Sequence, residues 1–297
     1  MRYVPRNEYT HFIELNNSVT ADDITVSIHK HWTVRKYSPE GFTLEESTIW
    51  DFPQRGDWAT HNGDYRGNWS PFIPRNLIQK FTSPGDLVCD PMVGSGTTLV
   101  ECKLMSRRGI GVDINLNAVM LAMNRLDFEL LSSKHESVED EIKLFHGDAR
   151  NLDKVEDESV DLLATHPPYS NIISYSSMPG DLSRLGLDAF KEEISRVASE
   201  CFRVLKPNKH CGILIGDTRK HSHYVPIHIG VLGKFLDAGF VLKEDIIKLQ
   251  HNTKGARERW ASNSYDFYKI GHEHLYVFRK PMENEDTSEL SHSKKWW

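Results

Sequence analysis

Hydrophobic positions along this chain follow two alternating rhythms. Between residues 74 and 280, short runs of Val, Ile and Leu alternate with longer stretches in which apolar side chains return every three or four positions. The short runs at 86–89, 109–112, 142–145, 160–164, 211–215, 241–247 and 275–279 predict seven strands. The longer segments at 98–105, 118–131, 187–205 and 227–238 predict helices between them. Strand and helix in alternation give an α/β fold, a seven-stranded and mostly parallel sheet flanked by helices. The last two strands have no helix between them, which predicts an antiparallel strand at one edge.

The rhythm fails at both ends. Residues 1–60 mix Trp, Tyr, Thr and charged side chains with little periodicity, and are expected to form an N-terminal extension packed on a main domain at 61–281. Residues 282–297 are acidic and polar before ending in Lys-Lys-Trp-Trp, the composition of a flexible tail. A hydrophobic share of 39% with 26% charged residues supports a folded core and excludes wholesale disorder. No run approaches the ~18–20 apolar residues of a membrane span. The opening residues Met1 to Tyr9 lead into no apolar run, so no secretory signal is expected. Cys89, Cys102, Cys201 and Cys211 form no C-x-x-C pair, and read as reduced, buried thiols of a cytoplasmic protein with no zinc site.

Candidate chemistry sits at the strand ends. The first strand runs into Asp90-Pro91-Met92-Val93-Gly94-Ser95-Gly96-Thr97-Thr98, where two glycines allow a tight turn close to a ligand. No lysine follows Gly96, so this is not a phosphate loop, and the third glycine of a dinucleotide fingerprint is missing. Asp90 would repel a pyrophosphate but suits a cationic amino group. Asp113 ends the second strand, where a carboxylate is placed to hold a ribose diol. Asp148, with Ala149 beside it, follows the third strand. Three acids beside a Gly-x-Gly turn describe a pocket for a positively charged nucleoside such as S-adenosylmethionine. The plainer alternative is an ordinary tight turn with acids acting as helix N-caps.

The fourth strand ends in Thr165-His166-Pro167-Pro168-Tyr169. Two prolines cannot continue a strand, and they leave the carbonyls of His166 and Pro167 outside the ladder. Free carbonyls beside an aromatic ring can hold a flat amine.

Taken together, Asp-Pro-Met-Val-Gly-Ser-Gly-Thr-Thr resembles the D-P-F-x-G-S-G-T-T cofactor motif of the DNA amino-methyltransferases. Thr-His-Pro-Pro-Tyr resembles their catalytic [S/N/D]-P-P-[Y/F] motif, closest to the T-S-P-P-Y form of cytosine-N4 enzymes. The segment from Gly67 through Pro71 to Ile78 is similar to the family's helix-entry motif, which contacts the methionine end of the cofactor. The resemblance implies a Rossmann-like class I methyltransferase fold, S-adenosylmethionine as cofactor, and transfer to an exocyclic amine of a flipped base, cytosine N4 ahead of adenine N6. It assigns the cofactor to Pro71, Asp90, Pro91, Met92, Gly94, Ser95, Gly96, Thr97, Asp113, Ile114, Asp148, Ala149 and Thr165. It assigns catalysis to His166, Pro167, Pro168 and Tyr169. Double-stranded DNA is the implied partner, with a cognate restriction endonuclease admitted and the oligomeric state left open. An RNA guanine-N2 methyltransferase and a catalytically silent nucleic-acid-binding protein are the competing readings.

Two positions depart from the family pattern: Met92 replaces Phe, and His166 replaces Ser, Asn or Asp. An imidazole titrates near ~6.5 when unperturbed, so activity is expected to fall as pH drops through that value. A net charge of −6 announces no nucleic acid, so binding cations must be clustered. Lys254, Arg257, Arg259 and Trp260 interleave cations with rings between the last two strands. Arg219-Lys220-His221-Ser-His223-Tyr224 and residues 30–37 are weaker candidates, each closer to a solvated face.

Overall fold

The computed structural model describes residues 1–21, 24–65, 67–130, 141–168, 180–251 and 266–294. In chain order the elements are β1 (Arg2–Tyr3), α1 (Arg6–Leu15), β2 (Ser18–Ala21), β3 (Ile24–Ser27), β4 (Ile49–Trp50), α2 (Phe72–Phe81), β5 (Leu87–Asp90) and α3 (Thr97–Leu104). There follow β6 (Arg108–Asp113), α4 (Leu116–Leu126), β7 (Ile142–His146), β8 (Val160–Thr165), α5 (Leu187–Val204) and β9 (Leu205–Ile215). The chain closes with β10 (Thr218–Lys220), β11 (His223–Val225), α6 (Ile227–Asp237), β12 (Val241–Leu249) and β13 (His272–Arg279).

One sheet carries the molecule, in the order β1-β7-β6-β5-β8-β9-β13-β12-β4. Its centre is the seven expected strands. Strands β7, β6, β5, β8 and β9 pair in parallel, and β13 runs antiparallel to both β9 and β12. The antiparallel strand therefore lies inside the sheet, between β9 and β12, and not at the edge where the sequence placed it. The hairpin folds back so that the later strand is the inner one, which buries the apolar side chains Leu275 to Phe278. Two dipeptides from the first fifty residues widen the sheet to nine strands: β1 adds antiparallel to β7, and β4 adds parallel to β12.

Both faces of the central strands are dry, which is why they read as continuous apolar runs. Alternate residues serve opposite layers. Cys89, Leu163, Cys211, Ile213, Tyr276 and Phe278 face α5 and α6, packing with Phe190, Ile194, Val231 and Phe235. Val88, Leu162, Ala164, Leu214, Leu275 and Val277 face the other way, onto Tyr9 of α1, Leu77 of α2, Leu99 of α3 and Met120 of α4. All four cysteines are free and buried, and burial raises the thiol pKa of Cys89, Cys102 and Cys211.

The N-terminal segment is tied to this frame by a buried acid. Glu101, on α3, is fully buried and accepts hydrogen bonds from Trp58 Nε1 at 2.7 Å and Arg75 Nη1 at 2.8 Å, with His61 Nε2 also at 2.7 Å. A lone buried carboxylate would be strongly unfavourable; three partners from two other segments offset that cost. Near the other end of the chain, Arg279 makes a two-pronged bond to Glu285, and Ser288–Ser293 forms a short 3-10 turn beside β12.

Candidate active site

The chain runs outward from β5 to β6 to β7, then crosses to β8 on the other side of β5. That reversal opens a crevice at the carboxyl ends of the strands, the place where open α/β sheets take ligands. A cleft of about 850 Å³, counting space open to solvent, lies there.

The glycine-rich turn forms its floor. Gly94 has φ 51° and Gly96 φ 87°, both in the left-handed region. A Cβ on Gly96 would stand 3.0 Å from Ala122 Cβ and 3.1 Å from its Cα, so helix α4 also presses on this turn. Gly94 N–H donates to Asp113 Oδ2 at 2.9 Å, and Asn115 N–H donates to Asp113 Oδ1 at 2.9 Å. The end of β6 is thereby locked to the turn after β5.

Asp90 is the junction of the site. Its Oδ2 accepts from Thr98 Oγ1 at 2.5 Å, and its Oδ1 accepts from Thr165 Oγ1 at 2.8 Å and Met92 N–H at 3.2 Å. Burial nevertheless pushes the carboxyls of Asp90 and Asp113 up to about 6. Asp148 is held differently. Arg150 grips it through Nε and Nη2, and also donates to Glu193 at 2.6 Å and to the Gly180 carbonyl at 3.0 Å.

The opposite side begins with two uncharged rings. His166 stacks on Trp69 with ring centroids 5.9 Å apart and planes at 15°, and its ring bonds to the Gly67 backbone. Burial lowers its pKa to about 4. The expected titration near neutrality is thus corrected: desolvation disfavours the imidazolium, and His166 is neutral across the physiological range.

Of the positions the sequence singled out, Asp90, Pro91, Met92, Gly94, Thr97, Asp113, Ile114, Asp148, Ala149, His166 and Pro168 line this one cleft. Ser95, Gly96, Thr165, Pro71 and Pro167 are absent from the lining. Ser95 Oγ donates to Asn68 Oδ1 at 2.6 Å, Thr165 donates to Asp90, and Pro71 caps the start of α2. Tyr169, and the cluster Lys254, Arg257, Arg259 and Trp260, lie outside the described residues. The other two basic patches are partly engaged: Arg219 donates to the carbonyls of Ser222 and Tyr268, and Lys36 pairs with Asp57. Sequence reasoning passed over Tyr65, Asn68, Trp69, Asp181 and Leu182, which also line the cleft. The Gly67-Asn-Trp start of the helix-entry segment was the available signal for two of these.

The donor set fits S-adenosylmethionine. Asp90, which is buried, and Asp113, which is partly buried, are carboxylates on the cleft, suited to an ammonium and a diol, and Asp148 is a third acid at the next strand end. The turn leaves no space for a side chain at Gly96, while Gly94, whose Cβ position would lie 3.4 Å from the Tyr65 ring, and Thr97 line the cleft. Among the described residues no helix is long and apolar enough to cross a membrane.

Comparison with known proteins agrees with this chemistry. A family model described as DNA methylase matches residues 2–124 and 160–296. An RMKL-like methyltransferase domain matches residues 81–211. The type II methyltransferase M.HpaI of Haemophilus parainfluenzae is 40% identical over 97 residues, 33% of this chain and 30% of that protein. The DNA adenine methyltransferase YhdJ of Escherichia coli is 27% identical over 122 residues, 40% of each chain. A tRNA (guanine(10)-N2)-dimethyltransferase of Methanothermobacter thermautotrophicus is 33% identical over 106 residues, 35% of this chain and 29% of that one. The chain thus spans well under half the length of these relatives. A solved S-adenosylmethionine-dependent methyltransferase of Methanosarcina mazei superposes with a TM-score of 0.48 at 16% identity, over 70% of this chain and 98% of that one. By the extent of the family match the chain belongs to the N6/N4 DNA methylases, with S-adenosylmethionine as its cofactor.

Proposed function

We propose that this protein methylates an exocyclic amine of a base flipped out of double-stranded DNA, cytosine N4 ahead of adenine N6. One observation carries the reading. Thr165, last residue of the strand that delivers His166-Pro167-Pro168, donates to Asp90, first acid of the glycine-rich turn, at 2.8 Å. That bond supports the reading, because it ties the segment proposed to hold the amine to the one proposed to hold the cofactor.

S-adenosylmethionine, when bound, supplies an electrophilic methyl group. Asp90 and the turn to Thr97 would hold its amino-acid end, Asp113 the ribose hydroxyls, and Asp148 the adenine amine. The amine to be methylated is a poor nucleophile, because its lone pair is delocalised into the ring. The Pro167 carbonyl and the neutral His166 ring accept its hydrogens and so favour a pyramidal nitrogen. This is positioning and electrostatic stabilisation, with no covalent intermediate. Tyr169 stacks on the base after it leaves the duplex. Burial of His166 supports this role, since only the neutral ring has a lone pair to accept with.

A second reading, methyl transfer to a guanine N2 amine in RNA, is favoured by the tRNA dimethyltransferase relative. Labelled methyl transfer to duplex DNA and to tRNA, side by side, separates the two. Sequencing the methylated DNA for modified cytosine and adenine then fixes the base. Transfer to tRNA alone would overturn the DNA proposal.

A further inference from the structure

At the end of the sheet where the cleft opens, a short ribbon stands out from the fold. Thr165, the residue before His166-Pro167-Pro168, pairs with Ile213 on β9. That strand runs on to Ile215 and then into the hairpin of β10 and β11, where Thr218, Arg219 and Lys220 pair with Val225, Tyr224 and His223. Lys220 to Tyr224 are exposed, and residues 218–225 include no acid. An isolated two-stranded hairpin is marginal in water, so this one depends on how its root is held.

One face does the holding. Side chains alternate between the faces of a strand, and cross-strand partners share a face. Arg219 and Tyr224 therefore lie together, with the guanidinium 5.7 Å from the centre of the Tyr224 ring and 4.5 Å from that of Phe267. Arg219 also donates to the carbonyls of Ser222 and Tyr268, at 3.1 and 2.6 Å. The Tyr224 hydroxyl donates to Asp217, whose side chain is 1% exposed and also accepts from the His228 backbone N–H at 3.0 Å. The other face carries Lys220 and His223, joined by the turn His221-Ser222. His223 Nδ1 donates to the His221 carbonyl at 2.8 Å, which leaves Nε2 as an acceptor in the neutral ring. Among the described residues, the Lys220 ammonium and the Ser222 hydroxyl have no partner. A two-residue hairpin turn needs positive φ at both central residues, which Asn-Gly adopts most easily. His221 and Ser222 are strained there, at 49° and 67°, and they place two polar side chains at the tip.

We propose that the β10–β11 ribbon enters the major groove of duplex DNA beside the target base, with Lys220, His221, Ser222 and His223 on the base edges. The inference rests on the reading of DNA as substrate. A B-form major groove, about 12 Å wide and about 8.5 Å deep, admits a two-stranded ribbon. Three residues of strand rise about 10 Å, enough to reach the floor of that groove. The major groove of A-form RNA is too narrow for side chains to read, which favours DNA as the occupant. Lysine and serine can donate to the guanine edge, and the acceptor on His223 suits an exocyclic amine. Tyr268, whose carbonyl Arg219 holds, is 91% exposed, and with Lys269 it supplies a ring and a cation at the ribbon's root. In the sequence these residues were a single basic run; the register separates those used in the mount from those presented.

The test compares the full chain with Lys220→Thr/His221→Asn/Ser222→Gly/His223→Thr, which keeps a hairpin turn and removes the presented groups. Methyl transfer to unmethylated plasmid DNA, sequencing of the methylated sites, and calorimetry with S-adenosylmethionine are measured on both. The variant should show a KM for DNA about tenfold higher or more and a relaxed set of methylated sites. Its cofactor affinity should stay within about twofold of wild type. Equal KM and an identical set of sites would overturn the ribbon's role and leave DNA as the substrate. A raised KM with an identical set of sites would reduce the ribbon to a phosphate contact, and so overturn the groove assignment. Wild type that methylates tRNA and no DNA would overturn both this proposal and the reading beneath it. Circular dichroism checks that the variant is folded; if it is not, Lys220→Ala and His223→Ala are measured singly, and wild-type KM and sites in both is the overturning result.

Discussion

At the cleft, the wall built by the ends of β5, β6 and β7 presents Asp90, Asp113 and Asp148, whereas the first residues after β8 present a neutral imidazole and Pro168 beside Trp69, with Asp181 a further acid later in the chain. Each acid is already held by donors of its own: Asp90 by two threonines, Asp113 by two backbone N–H groups, Asp148 by Arg150. Burial acts on both walls but in opposite senses. It raises Asp90 and Asp113 to about 6 and lowers His166 to about 4. Each group is moved toward its uncharged form, and only the acid wall is thereby brought to the edge of the physiological range. Sensitivity to pH should therefore belong to cofactor binding, and the amine-holding wall should be indifferent to it.

That division can be broken by exchanging one residue on each wall. The largest effect is expected at His166→Ala, which removes the side chain proposed to accept from the reacting amine. kcat should fall about a hundredfold or more, with cofactor affinity within a factor of two or so of wild type. His166→Ser should recover most of that loss, because serine offers an acceptor and is a residue the family carries there. Single-turnover methyl transfer and calorimetry read the two quantities separately. A drop in cofactor affinity in His166→Ala would dissolve the distinction between the walls.

Next comes Asp113→Ala, which removes the acceptor proposed for the ribose diol. Cofactor affinity should weaken about ten- to hundredfold, or roughly 1–3 kcal/mol, while kcat at saturating cofactor stays close to wild type. Unchanged affinity by calorimetry would remove Asp113 from its assigned role.

A smaller effect is expected from pH alone. Asp90 and Asp113 take up protons as pH falls through about 6, and Asp90 loses the negative charge that would attract the cofactor's ammonium. At about pH 5 only about a tenth of such a carboxyl is ionised, so affinity should be about tenfold weaker than at neutral pH. His166 stays neutral over that interval, so kcat should be flat. An acid limb in kcat near ~6.5 would instead restore the titrating imidazole expected from an unperturbed histidine.

The smallest is structural. Gly96→Ala places a Cβ at φ 87° and against Ala122. Strain of ~1–2 kcal/mol should lower the melting temperature by a few degrees, through α3 and the acid wall it carries. A calorimetric scan unchanged by the substitution would show that the turn has room to relax.

The central sheet was legible because its strands are dry on both faces, so each appears as an apolar run with boundaries close to those observed. β9 began earlier than its run because Leu205–His210 is mostly polar and includes Pro207, yet it still pairs with β8 and β13. The N-terminal elements were not legible for the opposite reason. Helix α1 buries one residue, Tyr9, and so leaves no stripe; β4 is two residues long, too short to have a period. In the cleft, motif residues could be read because their spacing is local. Asp181 could not: it lies in a stretch without periodicity, and it reaches the site through the fold of residues far from the glycine-rich turn. The burial that neutralises His166 was equally invisible, since Trp69 lies almost a hundred positions earlier.

The two dipeptides that widen the sheet have a consequence for how the chain comes together. Arg2 pairs with His146 at one margin, and Ile49 pairs with Ile247 at the other. A single stretch of fifty residues thus covers both exposed margins of the same sheet, with each partner far downstream. Such long loops close late, and contacts of this sequence separation slow folding. Once β12 has formed, and until residues 49–50 pair with it, its outer margin stands uncovered, a template for another chain's strand. A stretch that precedes its partners by so many residues is consequently among the last to find its place, and the interval before it docks is when the chain is most exposed to self-association.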